Sequence, residues 1–388
     1  MAIDQDDRRE GGAASTPAPP RRGPLPWGFL GMLGLLIAAE WTLAGHDLDL
    51  TAPWHWDWRT TGKLAAKKQG KADVLLFGDS LMKFGVMPKV VGDRAGMTAY
   101  NFALHTGQAS SSYFMLRRVL AAGHHPRAIV LDLTPHMFFH KTQENARLWP
   151  ELLTPAECLD LARTMRDPDF FASTLLARFV PSIKERHDLR ATILAAATGR
   201  PSPSRRGEIP TYRRNWKQND GAQLMPDGES PPIDPVYWER SLYPNWAPDP
   251  VNVAYLDRFL GLAADAAIPV VWLLPPVQPA IQSRTEASGF DAAYTDFVRR
   301  VVARFPGVAV ADARHSGFEA AEFNDGIHLK RPGALRLSAG LGTLIRNGLA
   351  GGRWVRLDAG APRSVEFPIE DVGQSAVALA PPAPGARR

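Results

Sequence analysis

The chain has 388 residues, a hydrophobic content of 45% and a formal net charge of +5 at pH 7. This length allows one large domain with an insertion, or two domains. Lysine and arginine are not interleaved with aromatic residues along one stretch, and no zinc-finger or basic-zipper spacing occurs, which argues against nucleic-acid binding. The mild positive charge suits an anionic polymer or a membrane face. The one cysteine, Cys158, excludes a disulfide within the chain, and its helical surroundings predict a packed thiol.

The first 45 residues predict a membrane anchor. Residues 1–26 are rich in Ala, Gly, Pro and charge, which is typical of a disordered tail. Residues 27–45 form an apolar run close to the roughly 20 residues that a membrane span needs. Arginines precede this run and aspartates follow it, so we expect a cytoplasmic tail and an extracytoplasmic remainder, joined by a linker at residues 46–71. A signal peptide cleaved near residues 42–44 and a buried helix of a soluble protein are the alternatives.

Short apolar runs alternate with helical patterns through much of the chain. This alternation predicts an α/β fold with a mostly parallel, five-stranded sheet covered by helices on both faces. The predicted strands are residues 72–77, 97–104, 127–133, 268–274 and 308–311. The predicted helices around them are residues 110–122, 251–267, 290–305 and 332–349, and residues 81–91 are partly helical with interruptions at Gly85 and Pro88. We assign residues 72–350 to this domain and residues 351–388 to a partly disordered extension that begins with a possible hairpin.

Residues 135–250 interrupt the alternation and are predicted to be an insertion after the third strand. Within it, residues 155–166 and 170–198 have helical patterns, the second broken at Pro181. Residues 199–250 are dense in Pro, Asn and Asp, which predicts loops. Insertions at a sheet edge often carry substrate contacts, because such loops vary while the scaffold stays fixed.

The first predicted strand ends abruptly at Gly78-Asp79-Ser80. A serine at this junction has its hydroxyl at the carboxyl edge of the sheet, where open α/β sheets bind ligands. Its N–H lies at a helix start, where it can stabilise a developing oxyanion. Ordinary turn chemistry would also explain the tripeptide.

A second motif follows the fifth predicted strand, where Asp325 and His328 are three residues apart. A serine is a weak nucleophile and needs a base within hydrogen-bond reach. In this loop the carboxylate can accept from one imidazole nitrogen, leaving the other to face Ser80 across the sheet edge. Pro332, near the start of the closing helix, fixes the chain direction there. The alternative is a surface turn with a solvated histidine.

Together the two motifs resemble the first and last sequence blocks of the SGNH/GDSL-type hydrolases. This superfamily of serine esterases and acyltransferases has a flavodoxin-like, doubly wound sheet. The resemblance covers residues 72–134 and 251–349. It implies Ser80 as the nucleophile, His328 as the base and Asp325 as the acid that orients the base.

The helix and strand of residues 251–276 further resemble membrane-anchored envelope members of the superfamily. Those members are implicated in acylating or deacylating exported polymers. The resemblance therefore implies an anchored enzyme whose substrate is an exported polysaccharide or another envelope ester.

The middle blocks of the superfamily match less closely. The resemblance implies the N–H groups of Ser80 and Gly107 as oxyanion donors. The third block normally supplies an asparagine as a further donor, and this sequence has none there; Thr134 or His136 would have to replace it. Loss of one such donor costs about 2.7–4 kcal/mol of transition-state stabilisation. We also consider His136 and Asp79 as contacts to the substrate.

Two other groups of residues are candidate binding sites. His136 and His140, with His124 and His125 nearby, could suggest zinc, but no carboxylate-plus-histidine spacing completes a site, so we predict neither metal nor cofactor. A run of basic residues in the insertion is either a solvated face or a grip for an anionic polymer. These residues are Arg205, Arg206, Arg213, Arg214 and Lys217.

The sequence thus predicts a membrane-anchored serine acyl-transfer enzyme in the cytoplasmic membrane, either an ester hydrolase or an O-acetyltransferase. Envelope acyl-transfer proteins are candidate partners, besides the lipid bilayer itself. Two alternatives remain open: an inactive protein of the same fold that binds glycan or assists assembly, and a purely structural anchored protein.

Overall fold

The computed structural model describes residues 26–67, 72–228, 246–348, 351–360 and 368–380. The predicted tail at residues 1–25 and the end of the chain after residue 380 lie outside the described residues. So do residues 229–245 of the insertion, which were predicted to form a loop.

The described residues contain a six-stranded sheet in which each strand runs parallel to its neighbours, in the order β2-β1-β3-β4-β5-β6. The strands are β1 Val74–Gly78, β2 Ala99–Asn101, β3 Ala128–Asp132, β4 Val270–Leu274, β5 Val308–Asp312 and β6 Trp354–Arg356. Gly78 pairs with Asp132, and Leu274 pairs with Asp312, so the carboxyl ends of β1, β3, β4 and β5 are level. Residues that follow β1 and β5 therefore share one edge of the sheet, where α/β folds place their sites.

Helices cover both faces of this sheet. Those before β4 are α1 Trp27–Gly45, α2 Pro53–Ala65, α3 Ser80–Gly85, α4 Pro88–Ala95, α5 Ala109–Ala121, α6 Pro135–Phe139, α7 Trp149–Leu152, α8 Pro155–Met165, α9 Pro168–Phe179, α10 Pro181–Lys184, α11 Arg186–Ala197, α12 Ile209–Gln218 and α13 Pro250–Asp265. Those after β4 are α14 Pro279–Ala287, α15 Phe290–Arg304, α16 Arg331–Arg346 and α17 Val372–Leu379. Single 3-10 turns lie at Thr142–Asn145, Arg206–Glu208 and Ala320–Glu322.

The continuous apolar run of β1 reflects burial on both faces, as is usual for a parallel strand. Leu75 and Phe77 pack into the core on one side of the sheet. Val74 and Leu76 pack into the core on the other side. This alternation follows from the two-residue period of a strand.

The sheet differs from the five-stranded sheet predicted from the sequence. The segment after Gly351, predicted as a hairpin, instead supplies β6, which pairs in parallel with β5. The pairing is parallel because α16 lies between β5 and β6 and returns the chain to the edge of the sheet where β5 begins. Gly351 makes a close approach, since a Cβ there would lie 1.8 Å from the Pro306 carbonyl oxygen.

The breaks predicted at Gly85, Pro88 and Pro181 are confirmed, since helices end or begin at each of these residues. Several helices were not predicted from the sequence. They include α2 in the expected linker, α6, α7 and α12 in the insertion, α14 after β4 and α17 in the expected extension.

Helix α1 is long and apolar enough to span a membrane, with a mean hydropathy of 1.5 and none of it buried in the protein. A signal sequence near an N-terminus would pass the same test, so this is weak evidence for a single-pass membrane protein.

Helix α2 is tied to α3, the helix that begins at Ser80, by a buried ion pair. The Lys83 ammonium lies 3.0 Å from the Asp57 carboxylate, and both side chains are fully buried. Lys83 also donates to the Gly221 carbonyl, while Thr61 and Tyr212 donate hydroxyl hydrogen bonds to Asp57. Burial lowers the pKa of Lys83, and the Asp57 charge opposes that shift.

We expect Asp57→Asn to lower the free energy of unfolding by about 3–5 kcal/mol, because it leaves the buried Lys83 charge uncompensated. Thermal unfolding of the detergent-solubilised chain, followed by intrinsic fluorescence, measures this effect. The matched control is Asp296→Asn, which removes an exposed pair with Arg299 worth about 0–1 kcal/mol. Equal melting temperatures for the two variants would refute a stabilising role for the buried pair.

Candidate active site

Ser80 is presented by a tight junction between β1 and α3. Gly78 has a φ of +150°, and a Cβ there would lie 2.2 Å from the Asp132 carbonyl oxygen, so the strand end accepts only glycine. Asp79 caps α3 by accepting a hydrogen bond from the Leu81 N–H at 2.8 Å. Ser80 is then the first helical residue, and its side chain is partly exposed at the carboxyl edge of the sheet.

The loop before α16 presents the second motif. It is closed by a bridge between Phe323 and Leu329 and by a 2.7 Å hydrogen bond from the Asn324 N–H to the His328 carbonyl. Gly326 adopts a φ of +93° within it, a conformation that favours glycine. The Gly326 carbonyl accepts from the Gln278 N–H beyond β4 at 2.8 Å. These bonds fix the loop against the neighbouring strand end.

The structure brings the serine, histidine and aspartate into one hydrogen-bonded chain. His328 Nε2 lies 2.8 Å from Ser80 Oγ, and His328 Nδ1 lies 2.7 Å from Asp325 Oδ2. The other Asp325 oxygen accepts the N–H groups of Ile327 at 3.3 Å and His328 at 3.0 Å. With Nδ1 donating to the carboxylate, Nε2 is left to accept the serine proton. The arrangement can therefore generate a serine nucleophile.

Packing and charge support this orientation of the imidazole. The Phe84 ring meets the His328 ring edge-on, with centroids 5.3 Å apart. Burial alone would raise the pKa of Asp325, but the hydrogen bond and charge of His328 outweigh it, and the pKa is lowered. Asp325 is therefore a carboxylate at neutral pH and can stabilise an imidazolium.

The predicted oxyanion donors are less favourably placed. The Gly107 N–H donates to the Leu104 carbonyl at 2.9 Å, so it is already engaged. Gly107 instead permits close packing, because a Cβ there would lie 2.4 Å from the Gly78 carbonyl oxygen. In the part of the chain that the structure describes, the Ser80 N–H has no hydrogen-bond partner, so it can receive an oxyanion.

The Thr134 and Asp79 side chains bind each other. The Thr134 hydroxyl donates to Asp79 Oδ2 at 2.7 Å, and the Thr134 N–H donates to the same oxygen at 3.2 Å. Burial raises the pKa of Asp79, against the effect of these hydrogen bonds. Asp79 is only 1% exposed, and its carboxylate caps α3 and holds the loop after β3.

Two clefts open on either side of the Ser80–His328 pair. The first, which we call the serine cleft, has a volume of about 200 Å³ and includes Ser80 and His136 in its walls. The second, the histidine cleft, has a volume of about 600 Å³ and includes Asp325, His328 and Trp54. Burial, with a smaller contribution from the His140 charge, lowers the pKa of His136 to about 4, so it lines the serine cleft as a neutral imidazole.

Two residues of the histidine cleft, Trp54 and His105, are not identified as site residues from the sequence, and a third, Arg205, is predicted only as part of a basic run in the insertion. The Trp54 ring stacks on His105, with centroids 5.2 Å apart, and the Arg205 guanidinium lies 4.7 Å from the centre of the Trp54 ring. Burial, followed by the charge of His328, lowers the pKa of His105 to about 4. The cluster of tryptophans after α1 was visible in the sequence, but nothing local showed that α2 would bring Trp54 to the site.

The other candidate binding groups are the histidines considered for zinc and the basic residues of the insertion. Within the described ranges, no three His, Cys, Asp or Glu side chains gather where they could hold a metal ion. The basic residues of the insertion are partly paired: Arg205 binds Glu208 at 2.6 Å, and Arg214 binds Glu370 at 2.7 Å. They therefore do not present one continuous unpaired patch.

Comparison with known proteins does not assign the chain to a family. No protein-family model matches the chain, and no curated protein matches its sequence. The function therefore has to be inferred from the chemistry of the site.

Proposed function

We propose that the protein is a membrane-anchored serine acyl-transfer enzyme of the SGNH/GDSL type. The observation that carries this proposal is the unbroken chain of hydrogen bonds from Ser80 through His328 to Asp325, at 2.8 and 2.7 Å. Those three residue types in this order activate a serine hydroxyl for attack on an ester carbonyl.

The proposed reaction proceeds in two halves. Ser80 Oγ attacks the carbonyl carbon of an ester while His328 Nε2 takes the serine proton, and the Ser80 N–H binds the oxyanion. The tetrahedral intermediate then expels the alcohol, which leaves with the proton held by His328, and an acyl group remains on Ser80. Water or a sugar hydroxyl next attacks the acyl carbonyl as His328 Nε2 takes the acceptor's proton; the bond to Ser80 Oγ then breaks, and His328 returns that proton to the serine. Water yields a carboxylic acid, whereas a sugar hydroxyl yields a new ester.

The fold supports the family part of the proposal. Strand order β2-β1-β3-β4-β5 is that of flavodoxin-like sheets, with β6 added at one edge. Ser80 and His328 follow β1 and β5, at the edge where such sheets bind ligands.

The proposed location is the cytoplasmic membrane, with the catalytic domain outside the cytoplasm. Helix α1 supplies a candidate span, and the arginines before it and aspartates after it favour this orientation. The corresponding substrate is an exported polysaccharide or another envelope ester.

One observation favours a second candidate, a glycan-binding protein of this fold that has lost catalysis. Gly107 and Thr134 have other partners, and the loop after β3 lacks the usual asparagine. Each missing donor would weaken transition-state binding by about 2.7–4 kcal/mol.

Ester turnover distinguishes the two candidates. The purified full chain in phospholipid nanodiscs is incubated at pH 8 with p-nitrophenyl esters, and nitrophenol release is followed. Saturable release supports the enzyme. Release no faster than that from nanodiscs alone supports the binding protein. Esterase and transferase are then separated by mass spectrometry of added oligosaccharides, in which an acylated product identifies a transferase.

A further inference from the structure

The serine cleft has apolar walls next to the reactive hydroxyl. The side chains that form them are Leu81, Met137, Leu274, Val277, Ile281 and Phe290. Leu81 follows Ser80 directly, and Ile327, also in the wall, precedes His328. An acyl group on Ser80 therefore has an apolar surface on the serine side of the site.

Polar side chains that also line the cleft, among them Arg314, Asp291 and Gln282, have hydrogen-bond partners within the protein. Arg314 donates to Asp291 at 2.8 Å and to both oxygens of Asp312, at 2.9 and 2.7 Å. Gln282 donates to Asp291 at 3.2 Å and to Glu286 at 2.8 Å. Among the described residues, none of the buried side-chain atoms that lack a partner belongs to the cleft wall. A ligand in the cleft therefore does not need charged or polar groups to satisfy the polar atoms of the wall.

The size of the cleft exceeds what an acetyl group fills. An engineered apolar cavity of about 150 Å³ holds benzene, which has six carbons. By the same measure, the serine cleft of about 200 Å³ has room for roughly eight carbons. An acetyl group places only a methyl beyond its carbonyl.

The geometry points to a medium-chain acyl group, of about six to ten carbons, as the group that Ser80 carries. This inference rests on the proposed function, and it replaces acetyl as the expected acyl group. Each methylene that leaves water for the apolar walls gains about 0.8 kcal/mol, or about fourfold in kcat/KM.

The test is the chain-length dependence of ester hydrolysis by the full chain in nanodiscs, with p-nitrophenyl acetate, butanoate, hexanoate and octanoate. We expect kcat/KM for octanoate to exceed that for acetate by about 250-fold or more, the gain from burying at least four of the six additional methylenes. Ile281→Trp, which fills the cleft, should lower the ratio of kcat/KM for octanoate to kcat/KM for acetate below about 10. Val277→Phe, at a second position in the wall, should have the same effect. Val377→Trp, at a side chain that is 78% exposed and outside the cleft, should leave the ratio unchanged.

The outcomes separate this inference from the proposed function. If a folded wild-type protein hydrolyses none of the esters, the proposed function itself fails. If it hydrolyses acetate at least as well as octanoate, the enzyme stands and the medium-chain assignment is overturned. If octanoate is preferred but neither wall variant changes the ratio, the acyl chain binds elsewhere.

A separate observation concerns the surface beside α1. Helices α9, α10 and α11 expose large apolar side chains to solvent, and α10 packs against α1. These side chains are Leu176, Phe179, Ile183, Ile193 and Leu194. Phe179 and Ile193 are 67% and 68% exposed, which is unusual for side chains of this size on a soluble surface.

The contact with α1 sets the depth of this surface. The Glu40 carboxylate accepts hydrogen bonds from the Ser182 N–H at 3.0 Å and from the Ser182 hydroxyl. Beside them runs a groove between α1 and the α9–α10 segment, to which Leu36, Phe179 and Ile183 contribute. Leu36 is nine residues before the end of α1, or about 13 Å at 1.5 Å per residue.

If α1 spans the roughly 30 Å hydrocarbon core, Leu36 lies near the middle of the bilayer. Phe179 and Ile183, which share its groove, then lie within the hydrocarbon of the leaflet on the domain side. We infer that α9–α11 dip into this leaflet and that lipid acyl chains cover their apolar side chains. Glu40 is tolerated beside lipid because Ser182 satisfies its carboxylate.

Fluorescence quenching by lipid tests this inference on the full chain. Single cysteines replace Phe179 or Ile193 in a Cys158→Ala background and carry an NBD dye in nanodiscs that contain doxyl-labelled phospholipid. We expect both positions to show blue-shifted emission and at least twofold stronger quenching than Arg299→Cys, an exposed position on α15. A further cysteine in place of Leu35 reports on α1 itself.

The Leu35 position makes each result decisive. Quenching at Leu35 without quenching at either Phe179 or Ile193 overturns the inference and leaves the anchor standing. No quenching at Leu35 shows that α1 does not span the membrane. That result overturns both the membrane anchor and the inference that α9–α11 enter the leaflet. Neither result depends on whether the protein is an enzyme.

Discussion

We expect the Ser80→Ala variant to lose about 10⁴–10⁶-fold in kcat for ester hydrolysis, with a KM that changes little. The methyl group cannot form the proposed acyl-enzyme, whereas the serine and histidine clefts keep their walls. The residual rate would come from binding and from the remaining backbone donors. Steady-state kinetics with p-nitrophenyl octanoate in nanodiscs measures the effect.

The matched control for this variant is Ser173→Ala, which removes an exposed serine hydroxyl on α9 that donates to a backbone carbonyl. It should hydrolyse the ester at the wild-type rate. Equal rates for Ser80→Ala and wild type would show that another residue, or no residue of this chain, performs the chemistry.

We expect Asp325→Asn to lower kcat by about 10⁴-fold while the fold is retained. The asparagine amide donates a proton where the carboxylate accepted one, so His328 would turn its proton-bearing nitrogen toward Ser80 and lose its capacity to act as a base. The comparison is Asp296→Asn, an isosteric change at an exposed helix position. A reduction of less than tenfold in kcat would mean that Asp325 does not orient the base.

The lowered pKa of Asp325 also sets the pH range over which its pairing with His328 is present. A carboxylate whose pKa is depressed in the folded state stabilises that state above its unfolded pKa. That contribution is lost only as the pH falls through the lowered value, below the ordinary 3.8. Activity that declines at mildly acidic pH therefore has to be assigned to another group.

The parts of the fold that were predictable are those with local signals. Strands β1, β3, β4 and β5 are apolar runs that are buried on both faces, and such runs are readable without knowledge of their partners. Strand β6 has only three residues and none of them is fully buried, so its sequence has no comparable pattern. Helix α2 places Trp56 and Trp58 in buried contacts, but tryptophans at every second residue do not indicate a helix.

The serine, histidine and aspartate of the candidate site were also predictable from local sequence signals. Gly78-Asp79-Ser80 and the Asp325–His328 pair are each short local motifs, and a parallel sheet brings the ends of β1 and β5 to one edge. The Asp79–Thr134 hydrogen bond joins residues 55 positions apart, and no local pattern indicates it. That bond engages the Asp79 carboxylate and the Thr134 hydroxyl, the two side chains that the sequence offers as a substrate contact and an oxyanion donor.

The most direct test of a serine nucleophile is covalent labelling by a fluorophosphonate probe. The full chain in nanodiscs is incubated with the probe, digested and analysed by tandem mass spectrometry. The proposed mechanism predicts one adduct, on Ser80, that forms quickly in wild type and is at least about 10³-fold slower in His328→Ala, which lacks the base. An unlabelled Ser80 in folded protein, or equal labelling of wild type and His328→Ala, would contradict the account.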